Sequence, residues 1–204
     1  MSMTGTQVKK ALYKLGFDNA YTNYTTAVKG FQMGWALGKA LKVDGKAGPK
    51  TQAAILKSLA RLKAGKGTMS WNFSFTEFRC KCGTDGYRRQ PGCKRMFTRR
   101  VHVLRLEKYR KRTGRVVRII SGYRCPGHNA AVGGAKFSQH QYGYSADFVG
   151  VVKADTVVGW KIFAGIGQGG RTGFAVHGDS RDRSPNNTTN SSTGNPSRWR
   201  YPWG

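Results

Sequence analysis

The apolar residues change their period near residue 64, and this change limits the architecture more than any single motif. Over residues 6–15, Val8, Ala11, Leu12 and Leu15 recur three and four apart, and Gly16 follows as a stop. Residues 22–37 repeat the pattern with Ala27, Val28, Phe31 and Trp35, and residues 49–62 with Ala53, Ile55, Leu56 and Leu59. Between the second and third runs, Asp44-Gly45 is a turn signal, and Gly48-Pro49 places a proline in a helix's first turn. This part of the chain predicts three helices.

After the small, Gly-rich stretch 64–71 the signals become mixed. Residues 97–112 predict a basic amphipathic helix, with Val101, Leu104 and Tyr109 as its apolar residues and Gly114 at its end. Residues 116–121 are a β-branched run and predict a strand. Residues 137–152 combine a tight loop with a strand carrying Ala146, Phe148 and Val149; 156–163 predict a short helix and 174–177 a further strand. Residues 181–197, rich in Asn, Ser and Thr, predict loop, and Trp199, Tyr201 and Trp203 either fold back onto the core or stay exposed. The expected class is α+β: a three-helix domain in residues 1–65, a linker at 66–71, and a mixed α/β domain with a central antiparallel sheet in 72–204.

Three residues in the second region carry metal chemistry. His140 and Asp147 lie seven apart, with Gly143 between them, and His177 arrives from a separate predicted strand. Gly143 and Tyr144 favour a turn into a strand over a continuous helix, and Ser145 and Ala146 permit close packing beside a ligand. Two imidazoles and one carboxylate suit zinc and leave a fourth position open, as a catalytic rather than a structural site requires. Such an ion activates water, so the set predicts a hydrolase. His102 reads as a surface residue of the basic helix.

Charge narrows the partners. With 36 Lys and Arg against 9 Asp and Glu, the formal charge is +27. The basic residues run along the whole chain, which predicts general attraction to polyanions such as wall polymers or phospholipids rather than specific nucleic-acid readout. No apolar run reaches the ~18 residues of a membrane span. Met1-Ser2-Met3-Thr4-Gly5 shows no basic segment leading into an apolar one, so a secretory signal is not expected. Cys80, Cys82, Cys93 and Cys125 are compatible with a second, structural zinc, with plain thiols, or with a disulfide formed after release.

Residues 3–62 resemble the peptidoglycan-binding repeat domain of wall hydrolases, through Val28, Phe31 and Gln32, then Val43-Asp44-Gly45, Gly48-Pro49 and Thr51. The wall-binding groove itself is left unassigned. Residues 72–204 resemble zinc D,D-peptidases of the M15 type. The matching pieces are Phe75-Thr76-Glu77-Phe78 with Cys80 and Cys82, Ser121-Gly122-Tyr123-Arg124-Cys125-Pro126 leading to His128-Asn129, the run 138–147, and Val176-His177-Gly178-Asp179. The resemblance implies that His140, Asp147 and His177 bind zinc and that Arg124 and Ser138 orient the substrate's carbonyl or carboxylate; the place of Tyr123 in the motif favours substrate contact over packing, and His128 reads as structural or substrate-facing, the structural reading favoured. Some relatives carry a catalytic Glu, Asp or His two or three residues before the last ligand. Here Phe174 and Ala175 stand there, so Asp179, and after it Asp182, is the expected base.

Together these readings imply a monomeric, two-module peptidoglycan hydrolase, cutting a peptide bond of the wall with a zinc-activated water. Without a signal, the expected setting is a phage endolysin, made in the host cytoplasm and acting on the wall after release. Two alternatives remain open at this level: a wall-binding or virion protein without turnover, and a basic nucleic-acid-binding protein with a structural zinc.

Overall fold

The computed structural model describes residues 2–84, 88–181 and 197–201. Its first three helices are α1 (Gly5–Lys14), α2 (Tyr24–Gly34) and α3 (Pro49–Lys63). Each starts where local chemistry sets it. Thr4 and Gln7 form a reciprocal capping box, with Gln7 N–H donating to Thr4 Oγ1 at 3.3 Å and Thr4 N–H to Gln7 Oε1 at 2.8 Å. Asn23 Oδ1 accepts from the Thr26 N–H at 3.1 Å, and Pro49 opens α3.

The residues that carry the wall-module resemblance have a structural explanation. The buried Gln32 amide donates to Asp44 Oδ1 (3.0 Å), Lys46 O (3.0 Å) and Thr51 Oγ1 (3.2 Å). Its oxygen accepts from the Asp44 and Gly45 N–H groups at 3.1 and 2.9 Å. One side chain thus ties the Asp44-Gly45 turn to α2 and to the start of α3.

Three helical faces or positions differ from the sequence pattern. In α3 the buried residues are Thr51, Ala54, Ile55 and Ser58, while Ala53 and Leu56 are exposed. In the basic helix α4 (Arg100–Thr113) the inner face is His102, Val103, Leu106 and Tyr109, while Val101 and Leu104 face out. Both faces keep the spacing of a helical stripe, so periodicity identified the helices but not the side that packs. His102 is fully buried, not a surface residue.

The stretch expected as a linker is packed as well: Thr68, Met69 and Ser70 are buried. Phe75, just beyond it, packs at a tilt against Phe17 (5.1 Å between centroids) and Phe31 (5.2 Å). Asp18 pairs with Arg79 at 3.2 Å. The helical region and the following region therefore share one apolar core.

The sheet has the order β1-β2-β4-β3-β5, with β1 (Ile119–Ser121), β2 (Ser145–Phe148), β3 (Gly165–Gly169), β4 (Ala175–Asp179) and β5 (Ser197–Tyr201). The first four are antiparallel neighbours, and β5 runs parallel to β3. Two short helices complete the described elements, α5 (Pro126–Ala131) and α6 (Ala154–Gly159). Tyr109, Phe148, Trp160 and Phe163 pack between α4 and the sheet.

Strand β3 was absent from the sequence reading because Gly165-Ile166-Gly167-Gln168-Gly169 has poor strand propensity. Close packing explains its composition: a Cβ at Gly165 would collide with the Asp179 carboxylate. Strand β5 takes up Trp199 and Tyr201, whereas Trp203 and most of the expected tail loop lie outside the described residues.

Candidate metal centre

Register places two of the three expected ligands directly opposite each other. Asp147 on β2 pairs with His177 on β4 across the antiparallel ladder, which brings their side chains to one face. His140 comes from the 3-10 turn Gln139–Tyr142, which ends at Gly143 in a left-handed conformation (φ 71°) before the chain enters β2. A side chain at Gly143 would also meet the backbone of Phe97. The spacing of seven therefore corresponds to a turn followed by a strand.

The three ligand atoms form a compact triangle. His140 Nε2 lies 3.3 Å from His177 Nδ1 and 3.3 Å from Asp147 Oδ1, and His177 Nδ1 lies 2.6 Å from Asp147 Oδ1. Zinc bonds of about 2.0–2.2 Å in tetrahedral geometry place neighbouring ligand atoms roughly 3.3–3.5 Å apart. Two edges match that spacing, and the third is shorter, at hydrogen-bond length.

The remaining polar atoms of these side chains are held by other partners. His140 Nδ1 sits 2.6 Å from the Gly122 carbonyl, so it carries the proton and Nε2 is left as the donor atom for a metal. His177 Nε2 faces Asp179 Oδ2 at 3.9 Å, which leaves Nδ1 for the same purpose. Asp147 Oδ2 accepts from Arg124 Nη2, and Arg124 Nε donates to Ser121 Oγ at 3.0 Å. The donor set and its outer partners therefore fit a zinc ion.

Electrostatics follow from burial opposed by charge. Burial would raise the Asp147 pKa, but the His140 and His177 imidazoles hold it well below the usual carboxylate range. Burial pushes the His140 pKa down despite Asp147. Burial acts the same way on His177, yet hydrogen bonding to Asp147 and Asp179 outweighs it and raises the pKa.

The other expected site residues are placed as follows. Arg124 is half-buried at the rim, joined to the metal set through Asp147. Ser138 is half-buried at the residue preceding the 3-10 turn that carries His140. Asp179 is fully buried. It lies on the far side of the His177 ring from Asp147, and Arg181 binds it through Nε at 2.8 Å and through Nη2. Burial opposes its ionisation, but Arg181 and His177 drive its pKa far down. A carboxylate so paired with Arg181 stays ionised beside the His177 ring. Asp182 lies outside the described residues.

Tyr123 and His128 are not gathered with the three ligands. Tyr123 packs with Phe97 (5.8 Å between centroids) and the cysteines, and His128 Nδ1 lies 3.4 Å from Cys80 Sγ. Sequence reasoning missed the Gly122 carbonyl, Ser121 and Arg181. Of these only Arg181 had a local signal, its position two residues after Asp179 at a strand end.

The family model described as Peptidase M15 matches residues 71–179, just over half of the chain and the whole of the metal centre. No curated protein shows significant similarity to the chain.

Proposed function

The chain belongs to the peptidase M15 family, and from that premise we propose that it is a peptidoglycan hydrolase that cleaves a peptide bond of the stem or cross-link, acting as an endolysin. The family makes it a metallopeptidase-type enzyme, and peptidases of this family are generally zinc-dependent. The observation that carries the reading is the triangle of His140 Nε2, Asp147 Oδ1 and His177 Nδ1, with edges of 2.6, 3.3 and 3.3 Å.

His140, Asp147 and His177 would hold the zinc ion. The chemistry it supplies when bound is a water whose pKa falls from ~15.7 toward ~7 and a polarised carbonyl. Gly122 O and Asp179 fix the two imidazoles, so no reorientation is needed when substrate arrives. Arg124 holds Asp147 in place and, from the rim, offers a cation to the substrate's carbonyl or terminal carboxylate. Ser138, the residue before the 3-10 turn that carries His140, supplies a further orienting hydroxyl. Asp179 acts as the positioning residue of His177.

The three N-terminal helices serve as the wall-holding module. A weak grip there raises the local concentration of the peptide to be cut. The charge of +27 adds attraction to anionic wall polymers or phospholipids. Among the described residues no helix is long and apolar enough to cross a membrane.

Purified cell wall incubated with the protein tests the reading. New amino or carboxyl termini, lost with a chelator and regained with zinc, are expected, and mass spectrometry of the fragments names the bond. Binding to wall without release of termini would overturn the hydrolase in favour of an adhesin. Retention on DNA with a steep salt dependence and no effect on wall would favour the nucleic-acid alternative.

A further inference from the structure

The four cysteines form a second constellation away from His140, Asp147 and His177. Cys80 and Cys82 flank the exposed Lys81, Cys93 comes from the turn at residues 91–95, and Cys125 caps α5. They come from three separate segments, yet all four sulfurs lie within 4.8 Å of one another. All four are free; Cys80, Cys82 and Cys125 are buried and Cys93 is half-buried. We propose that Cys80, Cys82, Cys93 and Cys125 bind a structural zinc ion as a tetrathiolate, independent of the catalytic ion.

Geometry supports this. Zinc–sulfur bonds of about 2.3 Å at tetrahedral angles set the sulfurs roughly 3.8 Å apart. Here the sulfurs of Cys82 and Cys93 are 3.1 Å apart, and all four lie within 4.8 Å of one another. Four soft thiolates select zinc over hard cations such as magnesium or calcium.

Backbone N–H groups donate to three of the sulfurs: Cys125 to Cys80 at 3.3 Å, Arg95 to Cys93 at 3.3 Å, and His128 to Cys125 at 3.5 Å. His128 Nδ1 lies 3.4 Å from Cys80 Sγ. The doubly negative tetrathiolate centre is balanced by a chain with 27 surplus positive charges.

Among the described residues, this part of the fold is held by the Cys80 N–H bond to Arg95 O, by Arg95 Nη1 donating to Cys82 O at 2.8 Å and by the pairing of Arg79 with Asp18. Residues 79–96 share one isolated bridge, Arg79 to Met96. The apolar residues gathered there are the cysteines themselves with Tyr123 and Phe97, apart from the main core. Arg95 adopts a positive φ of 58°, a strained conformation that needs surrounding support. A bound ion adds a further cross-link. It also anchors Cys125, the residue next to Arg124, whose N–H donates to His140 O at 3.2 Å. The thiolate centre therefore sits one peptide bond from the arginine that grips Asp147.

The test uses the full chain, purified under reducing conditions. Titration with p-hydroxymercuribenzoate should release zinc in step with modification of the thiols. A chain carrying both His140→Ala and His177→Ala should retain that same thiol-releasable zinc. Substitution of cobalt into this double variant should give an intense thiolate-to-cobalt charge-transfer band. Cys80→Ser with Cys125→Ser should lose the band. If the cysteine variant does not fold, the mercurial and cobalt measurements on the other two proteins still decide. Thiols that react without releasing zinc, or an intact mass lighter by the hydrogens of one or two disulfides in zinc-loaded protein, would overturn the proposal. Neither result would touch the catalytic ion, so failure here is distinguishable from failure of the hydrolase reading.

Discussion

Replacing Asp179 with Asn separates two roles for the residue. Asp179 Oδ2 stands 3.9 Å from His177 Nε2, opposite the ring nitrogen that faces Asp147. Its other contacts are the Arg181 guanidinium at 2.8 Å and the Arg181 N–H at 3.2 Å. Asn keeps the shape against Gly165 but removes the charge that fixes the imidazole. Loss of such an outer partner typically weakens metal binding by about 10–100-fold, which is about 1.4–2.8 kcal/mol. A general base behaves differently: its removal lowers turnover by about 10²–10⁴-fold and leaves the metal in place. The assay is zinc affinity by competition with a chromophoric chelator, run beside wall digestion at rising zinc. The expected outcome is weaker zinc binding, with most of the activity recovered at saturating zinc. Unchanged zinc affinity with activity lost at every zinc concentration would refute the orienting role and restore Asp179 as the base.

Three further outcomes are expected. Arg124→Ala should lower wall-cleavage kcat by about 10²–10³-fold, because it removes a cation from the reacting rim as well as the clamp on Asp147; kinetics at saturating zinc check it. Phe75→Ala, at a ring enclosed by Phe17 and Phe31, should cost about 3–5 kcal/mol and lower the stability of both regions in a single transition, as followed by urea unfolding with fluorescence and circular dichroism. Burial, reinforced by His177, pushes the His102 pKa down to about 3. The unfolded chain then takes up that proton first, so the contribution of His102 is complete above its ordinary pKa of about 6.5 and shrinks as pH falls toward 3. Between pH 6.5 and 5 the parent should lose roughly 2 kcal/mol more than His102→Asn in urea unfolding.

Much of the fold was readable because it is encoded over short distances. Gly16, the Asp44-Gly45 turn and Pro49 act within a few residues of themselves, and α1 ends and α3 begins close to where these signals lie. His140, Gly143 and Asp147 share one such local device, a turn that delivers the chain into β2. The α4 helix shows where local information stops. Its period marked a helix, yet Val101 and Leu104 point outward while His102 is enclosed. Which stripe is buried depends on what packs against it, and that partner is distant in sequence.

The same physics divides the site. Residue type and spacing were enough to propose His140, Asp147 and His177 as a ligand set, because zinc chemistry demands those donors. The opposition of Asp147 and His177 across the ladder, Asp179 behind the imidazole, and four sulfurs drawn from positions 80 to 125 are consequences of strand register and long-range packing. Strand β3 belongs with them. Its glycines carry little preference for a strand, and Gly165 is required because the Asp179 carboxylate occupies the space a side chain would need. Side chains choose their chemistry residue by residue, but distance and direction exist only once separate segments have been packed together.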